Sequence, residues 1–118
     1  MQNNSSILKN QKYQTCVDAC CNCMEACEAC CTACMNDTQN VGKMTRCMMM
    51  MRDCMAMCTM CAQCMSRGSE YVKQMCNMCA EMCDACAMEC DKHSGMEECK
   101  MCAEACRTCA DECRNMTR

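Results

Sequence analysis

Residues 76–90 read CNMCAEMCDACAMEC, and residues 99–113 read CKMCAEACRTCADEC. In both stretches the gaps between successive cysteines alternate between three and four residues. That alternation places every cysteine on one stripe of an α-helix, at the positions where a coiled coil carries Leu or Ile. Each stretch therefore predicts a helix with one sulfur-bearing face.

Two earlier segments carry the same stripe, and methionine takes three of its positions in the second of them. The four stripes are Cys16, Cys20, Cys23, Cys27, Cys30 and Cys34; Met44, Cys47, Met51, Cys54, Cys58, Cys61 and Met65; Cys76, Cys79, Cys83, Cys86 and Cys90; and Cys99, Cys102, Cys106, Cys109 and Cys113. They hold all but three of the 23 cysteines, since only Cys21, Cys31 and Cys64 lie off them.

The breaks between the stripes define four helices in an all-α chain. Each of the three glycines falls near such a break, and the predicted helices are 6–36, 41–66, 69–92 and 95–116. Ser69 is predicted to cap the third helix, and Ser94 with Glu97 forms a capping-box pattern for the fourth. Connections this short make neighbouring helices antiparallel. We therefore predict an up-down-up-down four-helix bundle, as a single domain over residues 1–118, with a cysteine-lined core.

The composition excludes a conventional core. The 118 residues include 23 Cys and 19 Met, but no Phe or Trp. Cys and Met, or something bound to them, must therefore fill the interior. The net charge of −3 and the two aromatic side chains give no support to nucleic-acid binding. No apolar run approaches the ~20 residues that cross a bilayer, and the N-terminal residues lack the apolar stretch of a secretion signal. We expect a cytoplasmic protein without membrane or nucleic-acid partners.

The cysteines are expected to be thiolate ligands for a metal. Their number is odd, turn residues are few, and disulfides do not persist in a reducing compartment. Antiparallel pairing of the stripes predicts layers of facing sulfurs, which are Cys34/Cys47/Cys90/Cys99, Cys30/Met51/Cys86/Cys102, Cys27/Cys54/Cys83/Cys106, Cys23/Cys58/Cys79/Cys109 and Cys20/Cys61/Cys76/Cys113. A sixth layer places Cys16 with Met65, Val72 and Met116.

The two ends of this interior are predicted to differ. Soft and imidazole ligands gather at one end, which carries Asp37, Met44 and His93, with Met35, Met48 and Met96 nearby. An apolar group closes the other end, formed by Ile7, Leu8, Tyr13, Tyr71, Val72 and Met116. We interpret the first end as a mouth and the second as a plug.

Cu(I) suits the stripes best among the metals. It takes thiolates and thioethers, and sharing sulfurs between ions would allow on the order of 20 ions per chain. Zn²⁺ prefers four ligands in a discrete tetrahedral site, and an iron–sulfur cluster needs four distinguished cysteines, but these cysteines overlap continuously. Detoxification of Zn²⁺ or Cd²⁺ by thiolate binding in the same core remains an alternative. A thiol redox enzyme is less favoured, because no single CxxC pair stands at a helix start. We predict no catalytic residue and no enzymatic activity.

The chain resembles the bacterial copper storage proteins. The resemblance lies in CNMCAEMCDACAMECDKH at 76–93 and EECKMCAEACRTCADECRNM at 97–116, and it extends from about residue 12 to the C-terminus. It implies a cytosolic homotetramer that stores Cu(I), with a copper chaperone as a possible partner. It also implies loading at an end with His and Met, a role that His93, Met44 and Met48 match. A single His and the Met-rich stretch RCMMMMRDCMAMCTMCAQCM at 46–65 depart from the family pattern.

Several sulfur residues also have a plain structural interpretation. Met51 lies within the cysteine stripe and is either a ligand or a core side chain. The off-stripe Cys21, Cys31 and Cys64 either bind metal between helices or simply pack. Met24, Met55, Met57, Met78 and Met82 are interpreted as core filler. Met49 and Met60 point outward and serve either an oligomer contact or metal capture.

Overall fold

The computed structural model describes residues 13–118, in which four α-helices follow one another without any strand. They are α1 (Gln14–Asn36), α2 (Thr45–Ser66), α3 (Val72–Asp91) and α4 (Glu97–Asn115), and a short 3-10 helix, Val41–Lys43, precedes α2. The predicted start of the first helix at residue 6 lies outside the described residues. The predicted second helix is shorter than expected, because residues 41–43 form the 3-10 turn.

The helices form the predicted bundle. Each helix packs against two others, α1 against α2 and α4, and α3 against α2 and α4. The sulfur stripes face the common centre, and small alanines beside them, such as Ala103 and Ala110, are fully buried. Small side chains at these positions let the helix backbones approach closely. No helix of residues 13–118 is long and apolar enough to cross a membrane.

The turn between α2 and α3 is set by Gly68, the one residue of 13–118 with a left-handed backbone, at φ 66°. Its N–H donates to the carbonyl of Met65 at 3.1 Å, and the N–H of Ser69 donates to the carbonyl of Cys64 at 2.9 Å. This is a Schellman motif, which satisfies the last carbonyls of a helix. The Ser69 hydroxyl then accepts a hydrogen bond from the Tyr71 N–H, just before α3 begins.

The capping-box prediction for the fourth helix is wrong. The N-cap of α4 is Met96, with an extended backbone and no side-chain hydrogen bond to the helix. Glu97 and Glu98 lie in the first turn instead, where their charges favour the positive end of the helix dipole. The thioether of Met96 accepts a hydrogen bond from the Cys99 thiol at 3.8 Å, so the cap residue contacts a buried cysteine of the stripe.

Candidate metal centre

The 20 stripe cysteines line the axis of the bundle, and we call them the thiol tube. Each is exposed by 1% or less, and all 23 cysteines of the chain, which lie within the described residues, are free thiols. An ordinary core of this volume would need large apolar side chains, which the sequence lacks. The fold therefore conceals a continuous array of soft ligands from water.

Contacts between α2 and α3 follow the predicted layers. The Sγ–Sγ distances are 3.7 Å for Cys47–Cys90, 3.6 Å for Cys54–Cys83, 3.9 Å for Cys58–Cys79 and 3.7 Å for Cys61–Cys76. The Cys58 thiol also lies 3.9 Å from that of Cys109, as predicted. The axial positions of α2, α3 and α4 were therefore predictable from the stripes.

The shortest contacts of α1 are offset by one stripe position from the predicted layers, although the predicted trios Cys27/Cys54/Cys106 and Cys20/Cys61/Cys113 still lie within 4.8 Å. Its shortest contacts to α4 join Cys16–Cys113, Cys20–Cys109, Cys23–Cys106, Cys27–Cys102 and Cys30–Cys99, at 3.7, 3.6, 3.6, 3.6 and 3.5 Å. An evenly spaced stripe fits its neighbour equally well after a shift of one position, so spacing alone does not determine the axial register. The connection through residues 37–44, with its 3-10 turn, is long enough to allow this shift.

Groups of four thiols overlap along the tube. Within each group the four Sγ atoms lie within 4.8 Å of one another, and the groups include Cys20/Cys58/Cys79/Cys109, Cys20/Cys61/Cys79/Cys113, Cys23/Cys54/Cys58/Cys83, Cys23/Cys27/Cys54/Cys106 and Cys27/Cys86/Cys102/Cys106. Cys20, Cys54 and Cys106 each belong to two of them. Such groups cannot all be filled as separate sites, and any metal that occupies the whole tube must share sulfurs with its neighbours.

The thiols also influence one another's ionisation. Hydrogen bonding from Cys106 holds the pKa of Cys54 below its ordinary value, whereas hydrogen bonding with Cys102 raises the pKa of Cys106. Near the His93 end, burial raises the pKa of Cys99 to about 12. Some thiols can therefore ionise with support from their neighbours, but complete ionisation requires cations within the tube.

The predicted mouth is a recess of about 310 Å³. We call it the His93 end, and it is lined by Asp37, Asn40, Lys43, Met44, His93, Gly95 and Met96. Met44 is 4% exposed, and His93 Nε2 is buried without a hydrogen-bond partner among the described residues. Together with the Met96–Cys99 contact, this places two thioethers and the imidazole at one end of the tube.

The sequence of this cysteine-lined bundle matches a known protein family. The model of the copper storage protein family, Csp, matches residues 9–118. The chain belongs to the copper storage protein family. No curated protein sequence matches it.

Solved structures of copper storage proteins share the fold. A Cu(I)-bound copper storage protein is 35% identical, with a TM-score of 0.83 and coverage of 90% of this chain and 98% of that one. The apo form of copper storage protein 3 from Bacillus subtilis is 36% identical, with a TM-score of 0.82 and coverage of 90% and 99%. A cytosolic copper storage protein from Streptomyces lividans, in a structure with five coppers, is 35% identical, with a TM-score of 0.86 and coverage of 93% and 95%.

Two residues predicted near the mouth lie elsewhere in this copper storage protein. Met48 does not line the His93 end but a groove between α1 and α2, together with Met35. Met51, by contrast, is fully buried within the tube. Of the off-stripe cysteines, Cys31 and Cys64 are buried at 5% and 7% exposure, and Cys21 is exposed.

Sequence reasoning missed Glu89, the one buried charged residue of the described chain. Its carboxylate lies 3.1 Å from Lys92 Nζ, 3.3 Å from Arg46 Nε and 3.5 Å from His93 Nε2. Its position beside Cys90, with Lys92 and His93 three and four residues later, was the available signal. Glu89 thus ties α2 to α3 beside the His93 end.

The opposite end is only partly as predicted. Val72 is buried, Tyr13 and Met116 pack against the core, and Met65 is fully buried with its Sδ 4.0 Å from Cys76 Sγ. Tyr71 is instead exposed, and Ile7 and Leu8 lie outside the described residues.

The predicted Met filler is only partly confirmed as well. Met57 is buried, and Met24, Met55 and Met82 pack against the core. Met78 is 48% exposed, which corrects its interpretation as filler. Met49 and Met60 are exposed, as predicted.

Proposed function

We propose that this protein stores many Cu(I) ions per chain as clusters of shared thiolates inside the thiol tube. The overlap of the four-thiol groups carries this proposal, because a sulfur that belongs to two groups bridges two ions when both groups are filled. Cu(I) is a soft ion that binds thiolates strongly and accepts thioethers as well. The stripe cysteines are the proposed ligands, and Met51 is the proposed thioether ligand within the tube.

We infer that ions enter at the His93 end. Met44, His93 and Met96 supply thioether and imidazole ligands there, and Met96 contacts the first tube thiol of α4. An ion can then move inward by exchanging one sulfur for the next, because neighbouring thiols lie 3.5–3.9 Å apart. Met48 lies outside this recess, and we do not include it in the entry path.

A storage role agrees with the uniform burial of the tube cysteines, none of which is more accessible than the others. A redox enzyme needs one exposed cysteine with a lowered pKa, whereas the tube cysteines are all buried. We therefore propose a non-enzymatic protein. By resemblance to the family, we infer a cytoplasmic homotetramer that receives copper from a chaperone, and the Streptomyces lividans relative is described as cytosolic.

Zn²⁺ is the second candidate, since four thiols within 4.8 Å match its preferred ligand number. The two metals differ in the number of ions that the tube can hold. Separate tetrahedral Zn²⁺ sites would consume four thiols each, so the 20 stripe cysteines would hold about five such ions. Shared Cu(I) sites would hold several times as many.

An anaerobic titration of the reduced protein with Cu(I), against a competing chelator, tests the storage proposal. We expect saturation at on the order of 20 ions per chain, with no displacement of copper by excess Zn²⁺. Saturation at one to four ions would contradict it. Replacing the group Cys23, Cys54, Cys58 and Cys83 by Ala should lower the capacity by about four ions while helicity persists. The exposed Cys21→Ala serves as the matched control and should leave the tube capacity unchanged.

A further inference from the structure

A groove on the outside of the bundle, between α1 and α2, is rich in sulfur. Its volume is about 370 Å³, and it is lined by Glu28, Cys31, Met35, Thr45, Met48, Met49, Arg52 and Met55. Five of these eight residues carry a thiol or a thioether. None of the five belongs to the thiol tube or to the His93 end.

We propose that this groove binds one Cu(I) ion outside the tube, through the Cys31 thiolate and the thioethers of Met48 and Met55. Met35 and Met49 complete the rim of the site. The choice of Cu(I) as the bound ion rests on the proposed storage function. The site itself is separate from the tube. A mixed thiolate and thioether donor set is typical of Cu(I) and unusual for Zn²⁺.

Cys31 is the anchor of the site. Its side chain is 5% exposed, and its thiol donates to the backbone carbonyl of Met48 at 3.7 Å, which holds the sulfur between the two helices. The residue also lies one helical turn from Cys27 and from Cys34, at spacings that make side chains neighbours. The anchor therefore stands between the groove and the thiol tube.

On α2, methionines continue the same sulfur arrangement. Met48 and Met55 are half-buried and pack against the core, and both are spaced three or four residues from Met51, which is fully buried in the tube. The three thioethers therefore follow one another along the helix. The groove residues Met48 and Met55 therefore flank Met51 in the sequence, where the stripe of α2 carries a thioether instead of a thiol.

The electrostatics of the groove are compatible with a monovalent cation. Glu28 contributes the one carboxylate of the lining, and Arg52 contributes its one positive charge. With Cys31 as thiolate, the two negative groups outnumber the positive one, and one Cu(I) ion balances the excess. An apolar partner segment would gain nothing from this charge arrangement.

The alternative occupant is a second copy of the chain. Met35 and Met49 are 57% and 62% exposed, and exposed thioethers can pack against another protein surface. This alternative predicts that replacing the groove sulfurs changes the oligomeric state and leaves metal capacity intact. The metal site predicts the reverse.

The test compares a groove variant, Cys31→Ala with Met48→Leu and Met55→Leu, with a control variant, Met78→Leu with Met88→Leu and Met101→Leu. Leu conserves the volume of Met, and the control removes three exposed thioethers elsewhere. Each full-length chain, labelled with ¹³C at its Met methyl groups, is titrated anaerobically with Cu(I) by NMR, and its capacity is measured against a chelator. Sedimentation reports the oligomeric state.

We expect the wild-type methyl signals of Met48 and Met55 to shift as an ion enters the groove, while those of Met78, Met88 and Met101 stay in place. The groove variant should hold one ion fewer per chain than the control variant. Equal capacities, unmoved Met48 and Met55 signals, or a change of oligomeric state with unchanged capacity would each overturn the site. If the tube failed to load while Met48 and Met55 responded to a single ion, the storage proposal would fail and the groove site would stand.

Discussion

His93 Nε2 lies 3.5 Å from Glu89 Oε2 at the C-terminal end of α3, and Arg46 of α2 approaches the other oxygen of the same carboxylate at 3.3 Å. Burial raises the pKa of Glu89, but the hydrogen bond and charge of Lys92, with contributions from His93 and Arg46, bring it below its ordinary value of 4.5. The ionised carboxylate therefore stabilises the folded chain.

The first prediction concerns the pH dependence of this stabilisation. A carboxylate with a lowered pKa in the folded state contributes fully above its unfolded pKa, and the contribution is lost as the pH falls through the folded pKa. Apo Glu89→Gln should unfold with about 1 kcal/mol less free energy than the wild type at pH 7, because the partners Arg46 and Lys92 are largely exposed. The difference should shrink below pH 4 in urea titrations of the reduced protein. A difference that stays constant down to pH 2 would contradict the assigned ion pairs.

The second prediction concerns Met51, the fully buried thioether of the tube. Met51→Leu conserves volume and should change the free energy of unfolding of the apo protein by less than about 1.5 kcal/mol. Met51→Cys leaves a small void, which should cost roughly 1–2 kcal/mol, but it adds a thiolate to the tube. Its Cu(I) capacity should therefore exceed that of Met51→Leu by about one ion, measured in the same chelator competition. Identical capacities for the two variants would show that this position takes no part in binding.

Packing beside the stripe gives the third prediction. Ala110 is fully buried on α4, so Ala110→Leu should force the helices apart and cost about 1–3 kcal/mol in the apo protein. The matched control is Ala56→Leu on the exposed face of α2, which should be nearly neutral. Chemical denaturation followed by circular dichroism compares the two, and equal stabilities would be inconsistent with close approach of the backbones.

The fourth prediction is that bound copper stabilises the fold. A ligand that binds only the folded state adds about 2.7 kcal/mol per independent site when its free concentration is 100 times its dissociation constant. The Tm should therefore rise with each added portion of Cu(I), and a strong Cu(I) chelator should reverse the increase. A Tm that is unchanged after loading would mean that copper binds the unfolded chain equally well.

The stripes predicted the helices, their inward faces and the buried thiols. Gaps that alternate between three and four residues match the period of an α-helix, which places all the sulfurs on a single face. They did not predict which thiol of α4 lies nearest to each thiol of α1, because a periodic stripe has several nearly equivalent registers. That choice depends on the connection through Asp37 to Met44, whose 3-10 turn has no strong sequence signal.

Two other features depend on the three-dimensional arrangement rather than on periodicity. The sequence places Glu89 beside Cys90, but its contact with Arg46 of the neighbouring helix is visible only in the packed bundle. Met48 and Cys31 are distant in sequence, and their contact at 3.7 Å follows from the packing of α1 on α2. Helix-by-helix analysis could not pair them.

The complete burial of the tube thiols has a consequence for how fast the cargo can leave. Bulky scavengers cannot reach tube sulfurs that are exposed by 1% or less, whatever the strength of their own bonds to copper. An ion must therefore travel back along the proposed exchange path to the His93 end before a scavenger can bind it. Its residence time is then expected to depend on how many sulfurs separate it from that end.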